Sequence, residues 1–337
     1  MHIRDLNLGD AAELHTFYTA FRDAEQSESS ERPIMPEQLL ISHLTEPAGD
    51  EESHPFAAFD AVGGQMIGAA FLFYPLLDNV TKAYTGVFVA PQHRGAGVGG
   101  ALADHVVSRT RADGRSVILA EATYGFDRRD DHPYRRFAER HGFALASTEV
   151  RRVLELPISD DEIDGWIAES AAHHDAYRIE TFVDEMPEAL LPSVCNVVNQ
   201  LALDAPTGDI DMEAEQITPE IRRRHDARAK ASGLTRYETV AIDPSGAAVA
   251  VTAIGLHADD PTKALQWATI VQMEHRGHRL GLAIKARNLR ALQRGQRQVA
   301  SISTSNEEHN GPMLDINERM GFKPVELIAE FQRKLAD

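Results

Sequence analysis

Residues 87–100 read Val87-Phe88-Val89-Ala90-Pro91-Gln92-His93-Arg94-Gly95-Ala96-Gly97-Val98-Gly99-Gly100. An apolar strand runs into a glycine-rich turn, and the turn opens a helix with Leu102, Ala103, Val106 and Val107 on its apolar side. Glycines let the backbone come close to a ligand, and the first N–H groups of a helix have no partner within it. They face the ligand with the positive end of the helix dipole behind them. A pyrophosphate is the natural occupant.

Two common phosphate motifs do not fit the stretch. A P-loop requires Lys and then Ser or Thr after its last glycine, whereas Gly100 is followed by Ala101 and Leu102. The dinucleotide fingerprint requires G-x-G-x-x-G, and Gly95-Ala96-Gly97-Val98-Gly99 has different spacing. A second copy exists further along the chain: Val271-Gln272-Met273-Glu274-His275-Arg276-Gly277-His278-Arg279-Leu280-Gly281. Arg94 matches Arg276 and Gly99 matches Gly281. The hairpin turn at Gly63-Gly64 matches that at Gly246, and Gly142-Phe143 matches Gly321-Phe322. Features recurring in one order and nearly one register indicate a tandem repeat of a single domain.

The pattern Arg94-x-x-Gly97-x-Gly99, entered through V-x-P, resembles the acyl-CoA loop of the GNAT N-acetyltransferase superfamily. The repeat extends that resemblance over nearly the whole chain and implies two tandem α/β (α+β) units, each a mixed, partly open sheet flanked by helices. The boundaries expected are 1–157 for the first domain, 158–176 for a helical linker and 177–337 for the second domain.

The resemblance implies acetyl-CoA as cofactor. In the first unit its pyrophosphate is expected on the backbone of Gly95, Ala96, Gly97, Val98 and Gly99, with Arg94 adding charge. Val87, Phe88 and Val89 are expected to pair through their backbone with the pantetheine arm, although plain core packing also accounts for them. In the second unit the corresponding residues are Val271, Arg276, Gly277, His278, Arg279, Leu280 and Gly281. Arg279 stands where the first loop has Gly97. Its side chain either blocks the phosphate or binds it from a helical backbone.

The superfamily also carries N-x-x-A-x-x-L-Y-x-x-x-G-F, whose Asn contacts the cofactor and whose Tyr protonates the thiolate. The second unit reads Asn310, Met313, Ile316, Asn317, Gly321 and Phe322 in that register, and the first reads Asp131, Tyr134, Phe137, Ala138, Gly142 and Phe143. Neither has the tyrosine in its usual place. Tyr134, one helical turn earlier, is a substitute donor unless it merely packs on Phe137. Glu121, at the end of the apolar run Val117–Ala120, is the candidate base, and a solvent-facing glutamate is the competing reading.

A formal charge of −18 repels nucleic acid and favours cationic acceptors, with a plain solvated acidic surface as the competing reading. The acceptor expected is a small amine. Asp204, Asp209, Asp211, Glu213 and Glu215 are expected near the acceptor site of the second unit, or simply solvated. The single cysteine, Cys195, excludes an internal disulfide and reads as a buried packing residue. The fifteen histidines are scattered, so no metal site is expected. There is no membrane-length apolar run and no signal-like apolar core after Met1, which points to the cytoplasm. Monomer and homodimer remain equally open. The reading from another class is an acyl-CoA-binding protein whose units hold the ligand without turning it over.

Overall fold

The computed structural model describes residues 1–27, 34–46, 49–201 and 208–335. Asp204, one of the acidic residues expected near the acceptor site of the second unit, lies outside them. The chain divides into two compact units. The first comprises Met1–Glu149, Thr207–Asp211 and Glu326–Asp337, and the second comprises Val150–Pro206 and Met212–Val325.

In the first unit, β1 (His2–Asp5) is followed by α1 (Ala11–Gln26), whose N-terminus Asp10 caps by accepting from the N–H groups of Ala12 and Glu13. Next come α2 (Glu37–Thr45), β2 (Glu51–Phe59), β3 (Met66–Pro75), β4 (Lys82–Phe88), α3 (Val98–Ala112), β5 (Val117–Tyr124) and α4 (Pro133–Arg140). Leu14, Phe17 and Phe21 recur at helical spacing on the buried side of α1, and Phe17 and Phe21 pack with Leu40, Leu44, Ala57, Phe59 and Phe88. That cluster fixes α1 and α2 on one face of the sheet. Gly68 allows Val98 and Leu102 of α3 to approach the other face, since a Cβ there would lie 2.7 Å from Val98.

The second unit repeats the plan. After β6 (Ala144–Glu155) come α5 (Asp160–Ala171), β7 (Arg178–Val183), α6 (Leu191–Asn199) and α7 (Pro219–Ala231). These are followed by β8 (Leu234–Ile242), β9 (Ala248–His257), β10 (Lys263–Val271), α8 (Leu280–Gly295), β11 (Ser301–Glu307), α9 (Gly311–Arg319) and β12 (Lys323–Lys334). Ser159 and Glu162 form a reciprocal capping box on α5. Cys195 is buried in α6.

One departure from the repeat shapes both units. The strands of the first unit run in the order β1-β2-β3-β4-β5-β12 and those of the second β7-β8-β9-β10-β11-β6. Each unit therefore takes in the strand that belongs, by sequence, to the other half. The sequence boundaries assign 323–334 to the second domain, but Leu327–Lys334 pair antiparallel with Val117–Tyr124 of the first unit. That partner also lengthens β5. Read from sequence as four apolar residues with Glu121 at the end, it runs on to Tyr124, and Glu121 lies mid-strand.

Candidate functional site

β4 and β5 are parallel and paired from Lys82↔Val117 to Thr85↔Ala120. Beyond that point the pairing stops, although β4 continues to Phe88 and β5 to Tyr124. β3 still pairs with Gly86, Val87 and Phe88 on the far side. The backbone of these three residues thus presents an unpaired edge inside the sheet, facing the gap between two diverging strands. Glu121 is the first β5 residue past the last pair. The second unit opens in the same way: β10 and β11 pair only from Lys263↔Ser301 to Leu265↔Ser303.

The glycine-rich loop leaves β4 through a 3-10 turn, Pro91–His93. Arg94 is extended, Gly95 has φ +79°, and Gly97, with φ +82°, caps α3. Both glycines take left-handed conformations that cost other residues about 1 kcal/mol or more. A Cβ on either would meet nothing within 4 Å, so the space in front of the loop is open. The helical ladder begins with Ala101 N donating to Gly97 O at 3.1 Å. The N–H groups of Val98, Gly99 and Gly100 therefore lie outside it, at the positive end of the helix. Gly99 serves packing instead, because its Cα faces the Phe137 ring of α4, which a Cβ would meet at 3.4 Å. These features fit a pyrophosphate on the backbone.

Arg94 does more than add charge. Its Nε donates to Val89 O at 2.8 Å and its Nη2 to Ser27 Oγ at 2.7 Å, and its guanidinium lies over the Tyr134 ring, 5.5 Å from the centroid. It thereby ties the end of β4 to the end of α1. Tyr134 Oη is 3.4 Å from Ser27 Oγ, and the Tyr134 ring meets His132 edge-on at 4.8 Å. His132 is buried and stacks on Tyr124 at 4.5 Å, while its Nδ1 accepts from Tyr134 N. The structure thus gathers Arg94 and Tyr134 and adds Ser27, Tyr124 and His132, which the sequence reading missed. The His-Pro start of α4 was the available signal for His132, because a side chain accepting from the first turn belongs there.

Glu121 is exposed on the face of β5 that also carries Leu119 and Thr123. The pairing Tyr84↔Leu119 joins that face to the α1 and α2 side of the sheet. Tyr124, of opposite parity, turns with His132 toward α4. Glu121 and Tyr134 are therefore on different elements, with Glu121 on the α1 side.

The second loop reproduces the backbone of the first. It has a 3-10 turn at Met273–His275, an extended Arg276 whose Nε donates to Val271 O at 3.1 Å, Gly277 at φ +85°, and a left-handed residue capping α8. That residue is Arg279, at φ +53°, so its backbone is left-handed and not helical as binding of the phosphate by its guanidinium required, and the guanidinium turns to Glu169 of α5. Glu169 also accepts from Arg319. Tyr177 Oη lies 3.0 Å from His275 Nδ1, and His278 Nδ1 lies 3.2 Å from His173 O. The basic side chains of this loop are thus engaged within their own unit. Gly281 allows Ile316 to approach, since a Cβ there would lie 3.0 Å from it. Asn310 occupies the N-cap position of α9 without a side-chain capping bond.

Behind this loop Lys285 of α8 is fully enclosed. Its Nζ donates to Asn317 Oδ1 at 2.9 Å and lies 5.0 Å from the Phe322 ring centroid. Burial lowers its pKa from 10.5 to about 7. Asn317 in turn donates to Asn306 Oδ1. In the first unit Ala103 and Ala138 stand in the places of Lys285 and Asn317.

The acidic loop between α6 and α7 does not fall wholly in the second unit as expected, because 208–211 pack with the first. Asp209 N donates to Ala146 O at 3.1 Å, and Gln332 of β12 donates to Asp209 O at 3.3 Å. Among the described residues no group of His, Cys, Asp and Glu could hold a metal, and no helix is long and apolar enough to cross a membrane.

Two open strand pairs, each leading through a left-handed cap into a helix, are decisive for the fold. The chain carries two GNAT folds in tandem. Residues 14–143 match the acetyltransferase (GNAT) family. Over its full length the chain resembles a tandem GNAT protein from the clavulanic acid biosynthesis pathway, at 23% identity and TM-score 0.78, covering 99% of that chain. It also resembles a GCN5-related N-acetyltransferase from Sphaerobacter thermophilus, at 15% identity and TM-score 0.63, covering 96% of it. Saccharomyces cerevisiae N-myristoyltransferase, solved with myristoyl-CoA and inhibitors, is similar at 10% identity and TM-score 0.62; 99% of this chain covers 80% of that one. Comparison with curated protein sequences finds no match. The family is one of acyltransferases that use acyl-CoA.

Proposed function

We propose that this tandem GNAT protein is an acetyl-CoA-dependent N-acetyltransferase that acylates a small, cationic amine by direct attack, and that the first unit is the productive one. The observation that carries this reading is the conjunction, in the first unit, of an open left-handed glycine loop with the unpaired edge Gly86–Phe88. Bound acetyl-CoA would supply an activated thioester. Val98, Gly99 and Gly100 would offer backbone N–H groups to its pyrophosphate. The edge of Val87, Phe88 and Val89 would hold the pantetheine arm like an added strand. A backbone N–H of that edge would meet the carbonyl oxygen as charge develops on it.

Glu121, where the strands diverge, would take the proton from the acceptor ammonium and leave a neutral amine to attack. Tyr134 would supply the proton for the leaving thiolate. Arg94 would act through position, holding β4, the end of α1 and Tyr134 in one arrangement. In the second unit Val271, Arg276, Gly277, His278, Leu280, Gly281 and Asn310 keep a cradle of the same shape, and its use depends on Arg279 leaving Glu169.

The second reading, an acyl-CoA-binding protein without turnover, draws on one observation: the usual tyrosine position holds Ala138 in the first unit and Asn317 in the second. Free-thiol release from acetyl-CoA, measured with a panel of primary amines on wild type and Gly97→Val, separates the two. The transferase reading expects amine-dependent thiol release that Gly97→Val abolishes. Coenzyme A binding by the wild type, with no thiol released for any amine, would establish the other.

A further inference from the structure

The register of β5 and β12 sets Glu121 directly opposite Glu330. In an antiparallel pair such residues share a face with Cβ atoms about 5 Å apart, and like charges there oppose pairing. Two carboxylates in that relation break a local rule one residue beyond the last β4–β5 pair, at the mouth of the opening between the strands.

Two further observations make this a site. Thr123, two residues on and on the same face, is only 7% exposed, and its Oγ1 has no hydrogen-bond partner among the described residues. A buried hydroxyl left so is costly unless something else engages it. The tandem repeat then supplies an internal control. Ser303 and Arg151 of the second unit correspond to Glu121 and Glu330, and Arg151 Nη1 donates to Ser303 Oγ at 3.2 Å. Side chains at these two positions therefore reach one another, and the chain uses a cation there in one unit and two anions in the other.

We propose that Glu121, Glu330 and the hydroxyl of Thr123 form a three-acceptor seat for the acceptor's ammonium group in the first unit. The specificity for a cationic acceptor then resides partly in β12, the last strand of the chain. An alkylammonium has three N–H donors, and the seat offers one acceptor group to each. Its proton passes to the carboxylate pair, which then holds one proton between two carboxylates; the neutral nitrogen forms the C–N bond as the C–S bond breaks, the sulfur leaves with that bond's electron pair and takes a proton from Tyr134, and the nitrogen's second proton is lost to solvent, which reprotonates Tyr134. The seat deepens the assignment of the first unit as the productive one and rests on it.

The test uses the full-length protein with Glu330→Gln and Thr123→Val. Binding of n-butylamine, putrescine and spermidine is measured by calorimetry in the presence of coenzyme A. Thiol release from acetyl-CoA is measured with the same amines and with aniline, which is neutral at assay pH. The seat requires at least tenfold weaker binding and a correspondingly higher KM for the alkylamines in Glu330→Gln, with kcat for them lowered as well and aniline unaffected. Thr123→Val should move in the same direction by a smaller factor. Unchanged alkylamine binding in Glu330→Gln, an equal loss for aniline, or a wild type that binds none of the three alkylamines would each overturn it. Alkylamine binding that Glu330→Gln weakens, in a protein that releases no thiol, would keep the seat and remove the transferase reading.

Discussion

The Glu169 carboxylate is bonded to Arg279, the residue that takes the place of Gly97 in the second loop. Arg279 holds the same left-handed backbone as the glycine, at a cost of about 1–2 kcal/mol, and its charge is directed back into its own unit. Glu169 binds Arg319 as well, so one carboxylate from α5 serves two guanidiniums beside the cradle. A phosphate reaching this loop must share Arg279 with Glu169 or displace it. These ion pairs are part-exposed, and such pairs hold by about 1 kcal/mol or less, so displacement is within the reach of a dianion.

Calorimetric titration with acetyl-CoA should accordingly find one strong site per wild-type chain. In Glu169→Gln a second site should strengthen by up to about fivefold while the first keeps its affinity, because up to about 1 kcal/mol of competition is removed. Two equal sites in the wild type would refute the competition.

Tyr134 meets the Arg94 guanidinium and the Ser27 hydroxyl at the end of the first loop. Tyr134→Phe keeps the ring and removes the proton. We expect kcat to fall by about 10²-fold, as for loss of a general acid, with KM for acetyl-CoA changed little. Stopped or continuous thiol-release kinetics decide it; an unchanged kcat assigns the proton to another donor.

Removal of 323–337, at the far end of the sequence from the glycine loop, should disable the first unit. It deletes the strand that pairs with the whole of β5 and exposes that edge. Loss of amine acetylation and of the strong acetyl-CoA site is expected, with partial recovery on adding a peptide of residues 321–337. A truncated protein as active as the full chain would show that β5 does not need this partner.

Lys285 offers a prediction in pH. Its folded pKa is about 7 and its unfolded value about 10.4, so between those limits the unfolded chain binds the proton and the folded one does not. Folding stability should therefore rise with pH through this window, by up to about 1.4 kcal/mol per pH unit from this group, with the full penalty present below pH 7. Denaturation of wild type and Lys285→Met between pH 6 and 10 should differ by that slope, with the methionine variant relatively more stable at the acidic end. Parallel curves would mean that the amine is solvated or paired in the fold.

Much of the fold was legible because its signals are local. The glycine-rich turn that holds Gly95 and Gly97 marks the start of a helix, and the repeat of Arg94, Gly99 and Gly142 marks a duplicated domain. The loop half of the candidate site was legible for the same reason. Glu330, Thr123 and Ser27 were not, because nothing in their own neighbourhoods distinguishes them; they acquire meaning from partners 67 or more positions away in the case of Ser27 and Arg94, or from a strand register in the case of Glu330.

By itself, the sequence determined that this chain holds two units with a strand, a glycine turn and a helix in each, since those depend on backbone conformations that particular residues favour or forbid. Only the tertiary structure decided which strand completes which sheet. β6 and β12 are both twelve-residue strands at matching places in the repeat, so periodicity cannot choose between them for β5 or β11. The choice is made by long-range pairing and side-chain packing, and with it came the juxtaposition of Glu121 with Glu330 and the longer course of β5. The conformation of Arg279 was decided in the same way: an arginine does not favour a left-handed backbone, and the repeated loop imposes one on it.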